Sequence, residues 1–166
     1  MRKTLAMLAS TVAAAGIVAG GLATASANSA TSAASGTEHF YLMTTSATGT
    51  TEPVIAGGVF TASGTDHEGS KIDSVVVKGG TFKINHSGKT TGAPKVNAKT
   101  CFFTLNGSTK FTVGGGTGAY KGLSGSGKAV ISIVGILGRT SSGACSDSVK
   151  PVAWQQTIRA TGHVKL

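Results

Sequence analysis

The chain has 166 residues and carries 15 Lys and Arg against 6 Asp and Glu, a net charge of +9. Only nine side chains are aromatic (six Phe, two Tyr, one Trp), mostly at core-facing positions, which is poor material for stacking bases and excludes sequence-tolerant nucleic-acid binding. No complete catalytic or cofactor motif is present, so neither a cofactor nor a metal is expected.

The N-terminus has the three-part form of a secretory signal. Arg2 and Lys3 are basic, Leu5 to Leu22 is apolar, and Ala25-Ser26-Ala27 is a small-x-small cleavage triplet. A retained membrane anchor is the competing reading. The run is long enough to span, but it is rich in Ala and Gly and no basic stop-transfer cluster follows it. Residues 1–27 are therefore read as a signal peptide, with no stable membrane span after cleavage and a secreted, extracellular product. Cleavage leaves 139 residues with a net charge of +7, enough for one domain with a single core. Such a chain is drawn to anionic cell-envelope surfaces. The plainer reading is that spaced lysines on outward strand faces keep a β protein soluble and guard its edges.

Residues 28–37 are Ser, Ala, Thr, Gly and Asn and read as a flexible linker before a domain at 38–166. From Glu38 onward, short runs of Val, Ile, Phe and Thr alternate with glycine turns, and no stretch keeps a 3.6-residue period. The expected strands are Glu38–Thr45, Pro53–Ser63 and a hairpin of Ile72–Lys78 with Thr81–His86 around Gly79-Gly80. Asn106-Gly107 marks a second hairpin, Lys99–Leu105 with Ser108–Val113. A three-residue loop, Leu105-Asn106-Gly107, keeps Cys101, Phe103, Phe111 and Val113 on one face. Ala129–Leu137 is apolar on both faces and reads as a doubly covered strand. The last strand is the clearest: from Trp154 to Leu166 the even positions are nearly all apolar and the odd ones all polar. The total of seven or eight strands predicts an all-β fold, an antiparallel β-barrel of about eight strands.

Two cysteines in an exported chain predict a Cys101–Cys145 disulfide. It closes a 45-residue loop, for a stabilisation of about 4 kcal/mol in the loop-entropy account.

The segment Gly114–Gly127, GGGTGAYKGLSGSG, resembles the glycine-rich turn of the allene oxide cyclase and dirigent barrels, which are eight-stranded and antiparallel. The wider layout is similar to small secreted actinobacterial proteins of that barrel group, through GVFTASGTDHEGS at Gly58–Ser70, GGTFKINHSG at Gly79–Gly88, Cys101-Phe102-Phe103-Thr104 and Ala153-Trp154-Gln155-Gln156. The resemblance implies a barrel over most of Glu38 to Leu166. Cyclase and dirigent members use acidic, tyrosine or asparagine side chains inside the barrel. No position here matches them residue by residue, so no catalytic residue is carried over.

Several local patterns bear on chemistry. Gly122–Lys128 matches a phosphate loop, but Ala129 stands where Ser or Thr would hold magnesium and a β run follows, which rejects nucleotide binding. His39, His67, His86 and His163 have no metal-ligand spacing. Asp66-His67-Glu68 puts two carboxylates on one face and could hold a hard cation, though a solvated turn is the stronger reading. His86 shares a strand face with Phe82 and Ile84 and points to the barrel interior or rim, as a ligand contact, a general base or a hydrogen-bonded rim histidine. Gln156, between Trp154 and Ile158 on the apolar face, is a buried amide in need of partners. Asn85-His86-Ser87 and Asn106-Gly107-Ser108 fit the glycosylation pattern and are read as turns.

His86, Gln156 and Trp154 are therefore the candidate ligand contacts. The leading expectation is non-catalytic binding of a small apolar or amphipathic ligand inside the barrel. The alternatives are an isomerase or cyclase, which needs at least two ionisable or polar side chains converging in a cavity, and a basic cell-envelope interaction protein.

Overall fold

A computed structural model describes residues 34–86 and 91–166. The expected signal peptide lies outside these residues, as does most of the expected linker. The strands are β1 (Ser35–Thr44), β2 (Thr51–Gly57), β3 (Thr61–His67), β4 (Ile72–Val77), β5 (Gly80–Asn85), β6 (Lys95–Val96), β7 (Phe102–Gly114), β8 (Ser124–Ile136), β9 (Gly138–Arg139), β10 (Cys145–Ser146) and β11 (Ala153–Lys165). Eight of them form a closed antiparallel barrel in the order β1-β2-β3-β4-β5-β7-β8-β11 and back to β1. Closure satisfies every ladder without leaving a long free edge. The short β6 adds to β7, and β9 with β10 forms a small ribbon between β8 and β11.

Alternation decides which side chains enter the barrel. On β2, Glu52, Val54 and Ala56 are buried while Thr51, Pro53 and Ile55 are exposed; on β4, Asp73, Val75 and Val77 are buried. On β11 the even positions face inward as expected, with Ala160 and Val164 buried and Arg159, Thr161, His163 and Lys165 outside. The period of two is that of a sheet with one dry face.

One end of the barrel is filled. Phe40, Phe60, Phe82, Phe111 and Tyr120 meet there at centroid distances of 5.2–6.3 Å. Tyr120 comes from a short 3-10 turn, Gly118–Tyr120, in the glycine-rich segment between β7 and β8. The turn is tied to the β4–β5 hairpin: Ala119 N–H donates to the Gly79 carbonyl at 2.9 Å and Thr117 N–H to that of Thr81 at 2.8 Å. Gly118 has a φ of +58°, and a Cβ there would run into the Gly79 carbonyl oxygen. The sequence pattern of this segment thus serves to lay a plug across a barrel end.

Several expected elements differ. The Asn106-Gly107 hairpin does not exist: β7 runs unbroken from Phe102 to Gly114 and pairs with β8 from Phe102↔Ile136 to Val113↔Gly125. The face assignment survives for Phe103, Phe111 and Val113 for a simpler reason, since odd positions of one continuous strand share a face; Cys101 is buried too but precedes the strand. Asn106 is a mid-strand residue whose side-chain oxygen accepts from the Ser132 hydroxyl, not a turn. Asn-Gly loses to the long partner strand, because twelve residues of ladder outweigh one dipeptide's turn preference. The expected strand Pro53–Ser63 is two strands, β2 and β3, joined by a turn at residues 58–60, so Val54 lies on β2 and Phe60 in the turn. The apolar run after Ala129 is not doubly covered. Val130, Val134 and Ile136 are 38–50% exposed on the outer face, and only the odd positions turn inward. The domain also begins earlier than Glu38, because Ser35, Gly36 and Thr37 already pair with the end of β11.

Candidate functional site

The end of the barrel away from Tyr120 is hollow. A cavity of about 320 Å³ reaches down to Phe40 and Phe111. Such a volume lies at the lower edge of the range typical of small-molecule sites. Its wall has two chemistries. From β1, β7, β8 and β11 it is apolar, through Leu42, Leu105, Ile131, Ile133 and Ile158. From the ends of β2, β3, β4 and β5 come Glu52, Asp66, Glu68, Asp73 and His86.

The topology forces these acids together. Glu52 and Asp66 are direct cross-strand partners on β2 and β3, which puts two carboxyls side by side facing inward. Asp73 follows on β4, two residues before Val75, which is itself paired with Asp66. Glu52, Asp66 and Asp73 are 6%, 2% and 9% exposed. Asp73 is satisfied: its Oδ1 accepts from the Gly69 N–H at 2.9 Å and lies 3.0 Å from Nε2 of His86. His86 is further held by its own N–H, which donates to the Lys71 carbonyl at 3.0 Å. Glu52 Oε2 and Asp66 Oδ1 are buried and have no hydrogen-bond partner.

Burial, with the charges of Glu68 and Asp73, pushes the Glu52 carboxyl up to about 7. Burial, then Asp73, Glu52 and Glu68, raises Asp66 to about 7 as well, against a lowering pull from His86. Two carboxyls that exchange protons near neutral pH at the edge of an apolar cavity can act as acid or base, or can accept hydrogen bonds from a bound cation. Among the described residues, no group of three or more His, Cys, Asp and Glu is arranged to hold a metal ion.

The expected contacts fall as follows. His86 and Gln156 both line the cavity, His86 beyond the end of β5 and Gln156 from β11. Trp154 does not line it. The indole packs on Phe103 at 5.4 Å and borders a smaller adjoining pocket that Gln156, Glu52 and Glu68 share. Sequence reasoning missed Glu52 and Asp73, although each stands at the head of an alternating run, Glu52-Val54-Ala56 and Asp73-Val75-Val77. Asp66 was expected in a solvated turn. It is inside because β3 continues through His67, which leaves His67 and Glu68 exposed and turns Asp66 inward.

The expected disulfide joins Cys101 to Cys145, with Cα atoms 5.3 Å apart. It ties the start of β7 to the β9–β10 ribbon. Cys101 takes a left-handed φ of 57°, its N–H donating to Asn97 and its carbonyl accepting from Leu137. No helix among the described residues is long and apolar enough to cross a membrane.

No family model, curated protein or solved structure matches the chain. The reading of the site therefore rests on its own geometry.

Proposed function

We propose that the protein is a container for a small amphipathic molecule, held in the barrel with its apolar part against β1, β7, β8 and β11 and its polar part toward β2–β5. The observation that carries this reading is the cavity of about 320 Å³ with one apolar and one acidic wall. Native mass spectrometry of protein purified from its own host tests it. The expected spectrum shows an added small mass that organic extraction removes. A bare mass in every preparation, with no uptake of the neutral fluorophore N-phenylnaphthylamine, would overturn it.

A second reading, an isomerase or cyclase in the same cavity, draws support from the two carboxyls near 7. The eight-stranded antiparallel barrel and the glycine-rich plug also support kinship with the allene oxide cyclase and dirigent group. Its sign is solvent deuterium entering an enolisable ketone that binds in the cavity, lost in Glu52→Gln. A ketone that binds without exchange removes it.

We read the working location as extracellular, on the strength of the signal-like residues 1–27 and the disulfide. Every described Lys and Arg is exposed, which supports weak attraction to anionic envelope polymers. That attraction falls steeply with salt, and salt-independent retention would exclude it.

A further inference from the structure

We infer that the barrel's ligand is an organic cation, a protonated amine on an apolar body, whose ammonium sits between Glu52 and Asp66. This rests on the container reading and names the class of molecule contained.

The first argument is charge placement. The chain has 15 Lys and Arg against 6 Asp and Glu, yet four of the six carboxylates, Glu38, Glu52, Asp66 and Asp73, are buried. All the described Lys and Arg side chains are outside, and the cavity lining contains none of them. A basic protein has thus kept its acids for the interior and placed no fixed cation beside them. His86 is the cavity's one nitrogen base, and it is engaged with Asp73.

The second argument is independent of charge count. Buried polar atoms in folded proteins are almost always paired. Glu52 Oε2 and Asp66 Oδ1, on side chains that are 94% and 98% buried, are unpaired, and both residues line the cavity. An ammonium has three N–H donors and no acceptor, so one such head can serve both oxygens, with charge assistance. An alcohol has a single donor and leaves one oxygen orphaned. A carboxylate brings no donor and adds a like charge to four acids.

The cluster's titratable groups come only from the β2–β5 side: Glu52, Asp66, Glu68, Asp73 and His86. The walls from β1, β7, β8 and β11 contribute none, and Gln156 is their strongest polar group. When an ammonium enters, one proton held by the Glu52 and Asp66 pair passes to the buffer, and the ammonium's single charge replaces it. Uptake is thereby coupled to proton release.

The test compares octylamine, octanol and octanoate on the full chain at pH 7 by calorimetry. Octylamine is expected to bind at least about tenfold more tightly than octanol, with octanoate weakest, a gap of about 1.4 kcal/mol or more. The heat of octylamine binding should change with the buffer's ionisation enthalpy, which reports the released proton. The double variant Glu52→Gln with Asp66→Asn should erase the gap between octylamine and octanol. Near-ultraviolet circular dichroism checks that the variant is folded, and the wild-type ranking stands as evidence if it is not. Octanol equal to octylamine overturns the cation assignment and leaves the container reading intact. Failure of all three to bind sinks both. Stabilisation by calcium chloride equal to that by octylamine would mean the cluster holds metal, and would also overturn the proposal.

Discussion

The two ends of the barrel are built from the same eight strands and the same inward-facing positions, yet they are filled in opposite ways. At the plugged end the inward residues are Phe40, Phe82 and Phe111, joined by Phe60 and Tyr120 from the turns. At the open end β2, β3 and β4 offer Glu52, Asp66 and Asp73, with His86 beyond β5. The difference is one of one or two steps along each strand: Glu52 precedes Val54, Asp73 precedes Val75, and His86 follows Ile84. Stability is concentrated at one end, and the other is left free to hold unpaired oxygens and unfilled volume. A sheet closed at one end by packing tolerates an unfavourable cluster at the other, as long as the first contributes more than the second costs.

The largest expected effect tests that division directly. Phe82 is fully buried and touches Phe40, Phe60 and Tyr120. Phe82→Ala should cost about 3–5 kcal/mol of unfolding free energy, by lost burial and a cavity that the rigid barrel cannot collapse. Urea denaturation measures it. A loss under about 1 kcal/mol would mean that the aromatic end does not carry the fold.

Next in size is the disulfide at the open end. Cys101→Ala with Cys145→Ala should cost about 4 kcal/mol, since the bond closes a long loop in the unfolded chain. The loss should appear in thermal unfolding, and a protein indifferent to the double variant would show that the ribbon it anchors is dispensable.

Much of this organisation could be read from the residues, and the failures have physical causes. The last strand was legible because thirteen residues keep one polar and one apolar face. The plug was legible as a glycine-rich corner, though not as a lid carrying Tyr120. The Asn106-Gly107 turn was misread because a local preference of a few tenths of a kcal/mol was set against a long ladder whose partner, β8, no short window reveals. The acids were missed for another reason. An acidic residue at a strand end is normally solvent-facing, so Glu52 and Asp73 were not counted with the apolar positions they alternate with. Their burial follows from closure, which turns both ends of every inward face into the same enclosed space. His86 and Gln156 were found because each stood among apolar neighbours on its strand face. Trp154 shared the face of Gln156, but one step further along β11 it lies against Phe103, outside the cavity.

The acidic end gives the third test. Folding raises Glu52 and Asp66 from the ordinary carboxylate range to about 7. The folded protein therefore holds protons that the unfolded chain has already released between those values. That contribution is fully present below the unfolded range near pH 4 and is lost as the pH rises through 7. Thermal stability should fall between pH 5 and pH 8.5, by roughly 2 kcal/mol after allowance for solvent at the cavity mouth. In Glu52→Gln the slope should flatten and the stability at pH 8.5 should rise. A stability that instead increases with pH over this range would refute the buried, mutually repelling arrangement. Glu68, Asp73 and His86 face the same space and are unchanged in the variant, so the difference between variant and wild type reports Glu52 together with the repulsion it exerts on Asp66.

The smallest effect sharpens the other end. The Tyr120 hydroxyl donates to the Lys78 carbonyl at 3.2 Å, while its ring packs against Phe60 and Phe82. Tyr120→Phe keeps the ring and removes only the donor. A single hydrogen bond of this kind is worth about 1 kcal/mol net, so the variant should lose about that much by urea denaturation. Tyr120 does not line the cavity, and octylamine binding should be unchanged within error. If the lost donor instead cost as much as Phe82→Ala, the plug would be latched rather than packed, and closure would depend on the hairpin it is tied to. If it altered octylamine affinity, the two ends would not be independent, and the acidic cluster would have to be regarded as coupled to the aromatic core through Phe40 and Phe111, the two residues that line the cavity from below.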